Sequence, residues 1–320
     1  METVLVTGCA GFIGSHLTEA LLKRGFGVVG IDNFDPYYPV ELKKRNVSLI
    51  PKENFTFIEG DIGEDEVLER AFVHGIGKVF HLAASAGVRN SIRHPTFYCR
   101  NDVLNTAKLL EFSKDRGVKK FIFASSSSVY GEVRESELPV RESRSPAPIS
   151  PYALSKVQGE MWCELYREVY GLDTVSLRFF TVYGPRQRPD EAFTKFITKI
   201  LRGEHIEIYG DGEQTRDFTY VGDVVNGLLL ASEKGSDIYN LGAGNRISVN
   251  EMVSIIGSVM GTRPQYLHIE KQQGDVSHTG ADISRAADEL GYAPRTALEE
   301  GTRKQVGWAR RLSEDGFVFP

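Results

Sequence analysis

The chain has 320 residues, a formal net charge of −5, and 41% hydrophobic and 25% charged side chains. That is enough for two lobes around a buried cleft, or for one large α/β domain. The acidic balance argues against a broad nucleic-acid footprint, and no apolar run approaches the ~18 residues that a membrane span needs. Cys9, Cys99 and Cys163 form no CxxC pair, and the seven histidines show no HxxxH or HExxH spacing. Neither a disulfide framework nor a metal is therefore expected. The N-terminus runs straight into a strand without the pattern of a secretory signal, so the expected location is the cytoplasm.

In the first half, short β-branched runs alternate with longer helical patterns, the signature of an α/β fold with a doubly wound parallel sheet of the Rossmann kind. Strands are expected at 3–7, 27–31, 55–59, 78–82, 120–124 and 174–178. The first strand leads into Gly8, Gly11, Phe12, Ile13 and Gly14, a strand, glycine turn and helix start with GxxGxxG spacing. Gly8 permits the tight turn, Gly11 lets backbone approach a pyrophosphate, and Gly14 lets the helix pack on the strand. The free N–H groups of the helix N-terminus then meet the phosphates. Asp32 and Asn33 end the second strand. A carboxylate there binds the adenosine ribose diol and repels a 2′-phosphate, which points to NAD rather than NADP as cofactor. Asp61 and Ile62, after the third strand, can seat the adenine edge. Leu82, Ala83 and Ala84 follow the fourth strand and can meet the cofactor midsection, while His81 is expected to orient by packing rather than react.

Helical patterns follow at 103–116 and at 151–171, with the run Ser125-Ser126-Ser127-Ser128 between them at the end of the fifth strand. In an open α/β sheet that end faces the ligand crevice. The second helix opens on Tyr152-Ala153-Leu154-Ser155-Lys156, a YxxxK whose i, i+4 spacing stacks phenol and ammonium on one face. A phenol ionises near ~10. A neighbouring Lys156 ammonium and the positive nicotinamide ring both favour the phenolate, so Tyr152 is expected to act as a base near neutral pH. Lys156 can also hold the nicotinamide ribose, and a serine hydroxyl can relay the proton. After 178 the texture changes: 183–190 reads as a Pro-, Gly- and Arg-rich loop, and short elements alternate with turns. The expected division is a NAD-binding Rossmann domain at 1–178 and a smaller lobe at 179–320, whose helices could pack back on the first.

With these residues in view, the chain resembles the extended short-chain dehydrogenase/reductase family, specifically its nucleotide-sugar epimerases, over nearly its whole length. It is most similar to the branch acting on UDP-glucuronate at C4. That narrower likeness rests on Asp32-Asn33-Phe34-Asp35-Pro36-Tyr37-Tyr38 with Leu42-Lys43-Lys44, on Ala86-Gly87-Val88-Arg89, on Arg178 through Arg186, and on Gln272-Gln273-Gly274-Asp275-Val276. The resemblance implies that the smaller lobe binds the nucleotide sugar and that Ser126 is the proton relay beside Tyr152 and Lys156. It implies that Arg216 grips the nucleotide diphosphate, that Asp275 meets the uridine ribose, and that Arg188 lies in a loop over the substrate. Arg89 falls on the substrate side, and Ser127, Ser128 and Thr181 could hold a sugar carboxylate. A homodimer is implied too, joined through the helices near Val103 and Pro151.

Thr181 replaces the Asn usual in UDP-glucose epimerases, and Gln272-Gln273-Gly274-Asp275 replaces their RPGD; the glucuronate branch itself usually reads QPGD. Ser127 and Ser128 stand where sugar 4,6-dehydratases carry an acidic pair, which argues against dehydration. The expected reaction is C4 inversion of a UDP-sugar, UDP-glucuronate to UDP-galacturonate, through a 4-keto intermediate. The alternatives are a neutral UDP-glucose or UDP-N-acetylglucosamine epimerase, and a non-catalytic NAD-sensing protein. The intact Tyr152/Lys156 pair argues against the second of these.

Overall fold

The computed structural model describes residues 1–270 and 276–319. The strands are β1 Thr3–Thr7, β2 Gly27–Asp32, β3 Phe55–Glu59, β4 Ile76–His81, β5 Lys120–Ser126 and β6 Asp173–Phe179. They continue with β7 Thr181–Tyr183, β8 Ile206–Tyr209, β9 Thr215–Arg216, β10 Phe218–Tyr220, β11 Asp237–Leu241, β12 Ile247–Ser248 and β13 Tyr266–Ile269. The α-helices are α1 Phe12–Lys23, α2 Val40–Leu49, α3 Asp65–Phe72, α4 Val88–Arg93, α5 Pro95–Tyr98, α6 Asn105–Asp115, α7 Pro151–Tyr170, α8 Ala192–Leu201, α9 Val221–Lys234, α10 Val249–Met260 and α11 Leu298–Glu314.

Seven strands form one parallel sheet in the order β11-β6-β5-β4-β1-β2-β3. Helices cover both faces, so the inner strands are continuous apolar runs rather than alternating ones; Val4, Leu5 and Val6 of β1 are fully buried. The order reverses at β1, between β2 and β4, which opens a crevice beyond the carboxyl ends of the strands. All six expected strands are present. β4 begins two residues early because its register with β1 skips Gly77: Thr3 pairs with Ile76 and Val4 with Lys78.

The sheet does not end at residue 178. Its edge strand is β11, and α9 buries Val224, Leu228 and Ala231 in the same core as Leu17 and Leu21 of α1. Residues 179–320 thus serve both lobes. The second lobe proper has its own core, where Phe193 and Ile197 of α8, Ile206 and Ile208 of β8, Met252 and Ile256 of α10, and Val306 and Leu312 of α11 pack together. Three two-stranded sheets pin it: β7 with β10, β9 with β12 and β8 with β13. Among the described residues no helix is long and apolar enough to cross a membrane.

Two helices position the chemistry. α7 is capped by Ser150, whose hydroxyl accepts the Ala153 N–H at 3.1 Å, starts with Pro151, and ends at Gly171 in the left-handed conformation. It lies close on β5 because Gly159 has no side chain: a Cβ there would fall 2.3 Å from the Phe123 ring. The helix expected at 103–116 is a composite. A π-helical turn, Cys99–Leu104, runs into α6.

Candidate active site

A cleft of about 520 Å³ opens at the crevice, and every residue expected to hold the cofactor lines it. Its floor is backbone. Gly8 has φ +72°, and a Cβ on it would lie 2.9 Å from the Ala83 nitrogen; one on Gly14 would lie 2.1 Å from the Gly8 carbonyl oxygen. The N-cap of α1 is Gly11, so no side chain caps the first-turn N–H groups of Phe12, Ile13 and Gly14, which line the cleft. This is a cradle for a diphosphate.

At the end of β2, Asp32 accepts the Ala10 N–H at 3.1 Å and the Phe34 N–H at 2.9 Å, one on each oxygen. Burial pushes its carboxyl up, opposed by the Lys43 charge and by those two N–H groups. A ribose diol suits this carboxylate and a phosphate dianion does not. Asn33 donates to Asp61 at 2.7 Å, and Asp61 in turn accepts the Gly63 N–H at 2.7 Å, which fixes this rim of the cleft. His81 is buried between Thr7 Oγ1 at 2.8 Å and Thr106 Oγ1 at 2.9 Å, and burial lowers its pKa to about 3. It is a neutral packing residue. The residues present therefore fit a dinucleotide such as NAD.

Tyr152, Lys156 and Ser126 line the same cleft, and Ser126 is hydrogen-bonded to the Tyr152 phenol. The buried Lys156 ammonium donates to the Ala124 carbonyl at 2.9 Å and lies 5.8 Å from the centre of the Tyr152 ring. Burial pushes the Tyr152 phenol up to about 12, against the pull of the Ser126 hydrogen bond and the Arg188 charge. The expectation of a base near neutral pH joins the Lys156 ammonium to the positive nicotinamide ring, and the ring acts only with the cofactor bound. In the protein alone desolvation dominates, and the downward pull comes from Ser126 and Arg188. Lys156 is itself lowered by burial and supported by Asp102 and Glu160.

Beyond the serine run lies a second hollow of about 190 Å³, lined by Ser127, Ser128, Thr181 and Arg216 among others. Ser127 and Thr181 line both spaces, so the cofactor cleft and this hollow share a wall. Ser128 donates its hydroxyl to Ser126 Oγ at 2.9 Å. Thr181 is held by its N–H on the Asp217 carbonyl at 3.0 Å, and the buried Asp217 carboxylate gathers the N–H groups of Ala243, Gly244 and Ala281 at 2.6, 3.1 and 3.2 Å. Arg216 donates to the carbonyls of Thr215 at 2.9 Å, Val276 at 2.7 Å and Ser277 at 3.2 Å, so it both faces the hollow and fixes the 276–277 backbone.

Other expected residues sit differently. Arg188 reaches the cofactor cleft but pairs with Asp190 at 3.0 Å and Glu191 at 2.8 Å. Arg89 is exposed, lies outside the residues lining the two spaces, and stacks its guanidinium 4.6 Å over the Tyr209 ring. Asp275, with Gln272 to Gly274, lies outside the described residues.

Sequence reasoning missed Lys43, Asp102 and Asp217 as site residues. Lys43 lines the cleft next to Asp32 with its ammonium on the Asp35 carbonyl at 2.8 Å. In a polar helix it reads as solvated, and only its place in the Leu42-Lys43-Lys44 run hinted at more. Asp102 and Asp217 are buried carboxylates whose partners are distant in sequence.

A glycine-floored dinucleotide cleft joined to a Tyr/Lys/Ser group defines a class of nucleotide-dependent oxidoreductive enzyme. The chain belongs to the NAD dependent epimerase/dehydratase family, whose profile matches residues 4–242. It is 40% identical over 98% of its length to the UDP-glucuronate 4-epimerase of Thermodesulfobacterium geofontis, of which it covers 98%. The UDP-glucuronic acid 4-epimerase of Bacillus cereus, solved with UDP-glucuronic acid and NAD, superposes with a TM-score of 0.91 at 39% identity, over 97% of this chain and 99% of that one. The UDP-glucose 4-epimerase of Thermotoga maritima, solved with UDP-glucose, gives 0.90 at 38% identity, over 97% and 99%.

Proposed function

We propose that the chain is an NAD-dependent epimerase that inverts C4 of a UDP-sugar, converting UDP-glucuronate and UDP-galacturonate through a transient 4-keto sugar. The observation that carries this reading is the shared wall: Ser127 and Thr181 line both the dinucleotide cleft and the hydroxyl-rich hollow, while Tyr152 and Ser126 line the cleft and Ser126 is bonded to Ser128 of the hollow. NAD when bound supplies the hydride acceptor and donor and, in its oxidised form, a positive charge near the phenol. The glycine turn and the start of α1 would hold its diphosphate, Asp32 its adenosine ribose, and Lys156 its nicotinamide ribose.

Tyr152 removes the 4-hydroxyl proton, directly or through the Ser126 hydroxyl, and later returns it. General acid–base help of this kind gives ~10²–10⁴-fold, and alignment supplies much of the rest. Inversion requires the 4-keto ring to turn over while its diphosphate stays anchored, the role assigned to Arg216. A 4-keto uronate is a β-keto acid and loses carbon dioxide when its carboxylate bond stands perpendicular to the ketone plane. Ser127, Ser128 and Thr181 hold the carboxylate away from that geometry.

One observation favours a neutral hexose instead. The Ser128 hydroxyl is already engaged by Ser126, and the remaining hydroxyls suit a neutral sugar too. A panel of UDP-sugars decides between the two. UDP-glucuronate is expected to exceed UDP-glucose in kcat/KM by more than about a hundredfold, because each buried donor left without its acceptor costs ~1–3 kcal/mol. Equal efficiencies select the neutral sugar, and no turnover of any UDP-hexose overturns the epimerase reading.

The partner we assign is a second copy of the chain. Leu154, Met161 and Leu165 form an exposed apolar stripe on α7, and Leu104 is exposed beside α6, Met161 at 62% and Leu104 at 61%. A four-helix bundle would cover them. Light scattering at micromolar concentration should give a dimer that the double variant M161E/L165E abolishes; a monomeric wild type defeats the assignment.

A further inference from the structure

Asp102 is a buried acid that the proposed reaction does not use. It lies in the π-helical turn Cys99–Leu104 and is 4% exposed. Such turns are rare and gather at functional sites. One carboxylate oxygen accepts the Ser85 N–H at 2.8 Å, and the other accepts the Ser155 hydroxyl at 3.2 Å. Ser85 belongs to the cofactor wall after β4. Ser155 sits between Tyr152 and Lys156, and its hydroxyl also donates to the Tyr152 carbonyl at 2.8 Å. One carboxylate thus joins the cofactor wall to the helical turn that carries both reacting side chains.

Two acids face Lys156: Asp102 from the π turn, and Glu160 one turn along α7. Glu160 is already engaged. Arg178 pairs with it through two hydrogen bonds of 2.8 and 2.7 Å, and Ser125 donates to it at 2.5 Å. The donors to Asp102 are the N–H and hydroxyl of Ser85 and the hydroxyl of Ser155, all uncharged. Buried single charges are costly unless an opposite charge balances them. Of the four charges Asp102, Lys156, Glu160 and Arg178, Asp102 and Lys156 are the two not otherwise compensated.

We propose that Asp102 is a positioning residue of the proton-transfer group, locking the Tyr152–Lys156 turn to the cofactor wall through Ser155 and Ser85 and supplying the negative charge that balances the Lys156 ammonium. The inference rests on Tyr152 and Lys156 acting as set out above.

The charges around each group fix the sign of the test. Tyr152 faces Asp102 and Glu191, which raise its pKa, and Arg188, which lowers it. Lys156 faces Asp102 and Glu160, which raise its pKa, and it lies near the neutral His81. Asp102 faces Lys156 and Tyr98. Neutralising Asp102 therefore lowers both Tyr152 and Lys156.

The test is D102N, which keeps the shape and one acceptor oxygen for the Ser85 N–H, turns the other oxygen into a donor to the Ser155 hydroxyl, and removes the charge. Both limbs of its kcat–pH profile are expected to move toward acid by about one unit. The ratio of variant to wild-type kcat should then be about a hundredfold higher at the acid end than at the alkaline end, about tenfold from each limb. D102E keeps the charge and should leave the limbs in place whatever it does to kcat. A uniform fall in kcat with unmoved limbs in D102N means that Asp102 only supports the fold, and overturns the proposal. Ultraviolet titration of tyrosinate, each protein against its own Y152F background, reads the same displacement without turnover. A wild type inactive on every UDP-hexose sinks the epimerase reading, and this titration alone then decides Asp102. Where D102N does not fold, D102S gives the same readouts with a hydroxyl left for the Ser85 N–H.

Discussion

On the cofactor side of the cleft the wall is main chain: the Gly8–Gly14 turn, the first N–H groups of α1, and the small residues 82–84 after β4, all at the ends of strands of one sheet. On the side of the second hollow the wall is side chains. Ser127 and Ser128 stand on a 3₁₀ turn, Thr181 on β7, Arg216 on the two-residue β9, and Arg188 in a loop, gathered from both lobes. A main-chain wall leaves no room for a substituent and holds one kind of ligand. A side-chain wall can be altered one hydroxyl at a time. The same frame can therefore keep its redox chemistry while its substrate drifts, in line with UDP-glucuronate and UDP-glucose epimerases lying at nearly the same structural distance.

The largest expected effect falls where the two walls meet. Tyr152→Phe should lower kcat by about three orders of magnitude or more, the upper range for losing a general base, while NAD and UDP-sugar still bind. A loss under tenfold would place the base elsewhere. Next is the main-chain wall. Gly14→Ala puts a methyl 2.1 Å from the Gly8 oxygen, a contact that neither backbone segment can relieve without opening the turn. The variant should purify with most of its dinucleotide lost, measured as NAD released on denaturation per chain. Retention at the wild-type level would mean that this wall yields as readily as the other.

A smaller and more selective effect is expected on the side-chain wall. Thr181→Ala removes one hydroxyl from the shared wall, at ~1–3 kcal/mol for an acceptor left unpaired. The preference for UDP-glucuronate over UDP-glucose should narrow about tenfold, and some decarboxylated pentose product should form. An unchanged preference would remove Thr181 from carboxylate binding.

What was legible in the sequence follows the same division. The glycine turn, Asp32 and the Tyr152/Lys156 spacing are each local, written within about a dozen residues, and the structure brings all of them to one cleft. The second hollow depends on long-range pairing. β11 adds to the sheet edge beside β6, and Asp217 collects N–H groups from residues 243, 244 and 281. The ionisation of Tyr152 was only partly legible for a related reason. Spacing along α7 shows that Lys156 is near, but not that burial outweighs it or that Arg188, Asp102 and Glu191 arrive from other segments. The π turn that presents Asp102 has no sequence pattern of its own.

The smallest effect lies behind the main-chain wall, at His81. Buried between Thr7 and Thr106, it has its pKa lowered to about 3 in the folded chain, against an ordinary ~6.5. The unfolded chain therefore binds the proton first. The stabilisation is fully present above about pH 6.5 and is lost progressively as pH falls toward 3. One pH unit corresponds to at most ~1.4 kcal/mol, so from pH 6.5 to 5.5 the loss is about 1 kcal/mol, or about 2 °C in Tm for a chain of this size. His16, lowered to about 4 by burial and by Arg186, adds to the slope in the same window. His81→Gln keeps groups that can bond both threonines but cannot take up the proton. Its Tm should fall less steeply than that of the wild type between pH 6.5 and 5. Equal slopes would mean that His81 is solvated enough to charge within the fold, and that the wall it supports is softer than its burial implies.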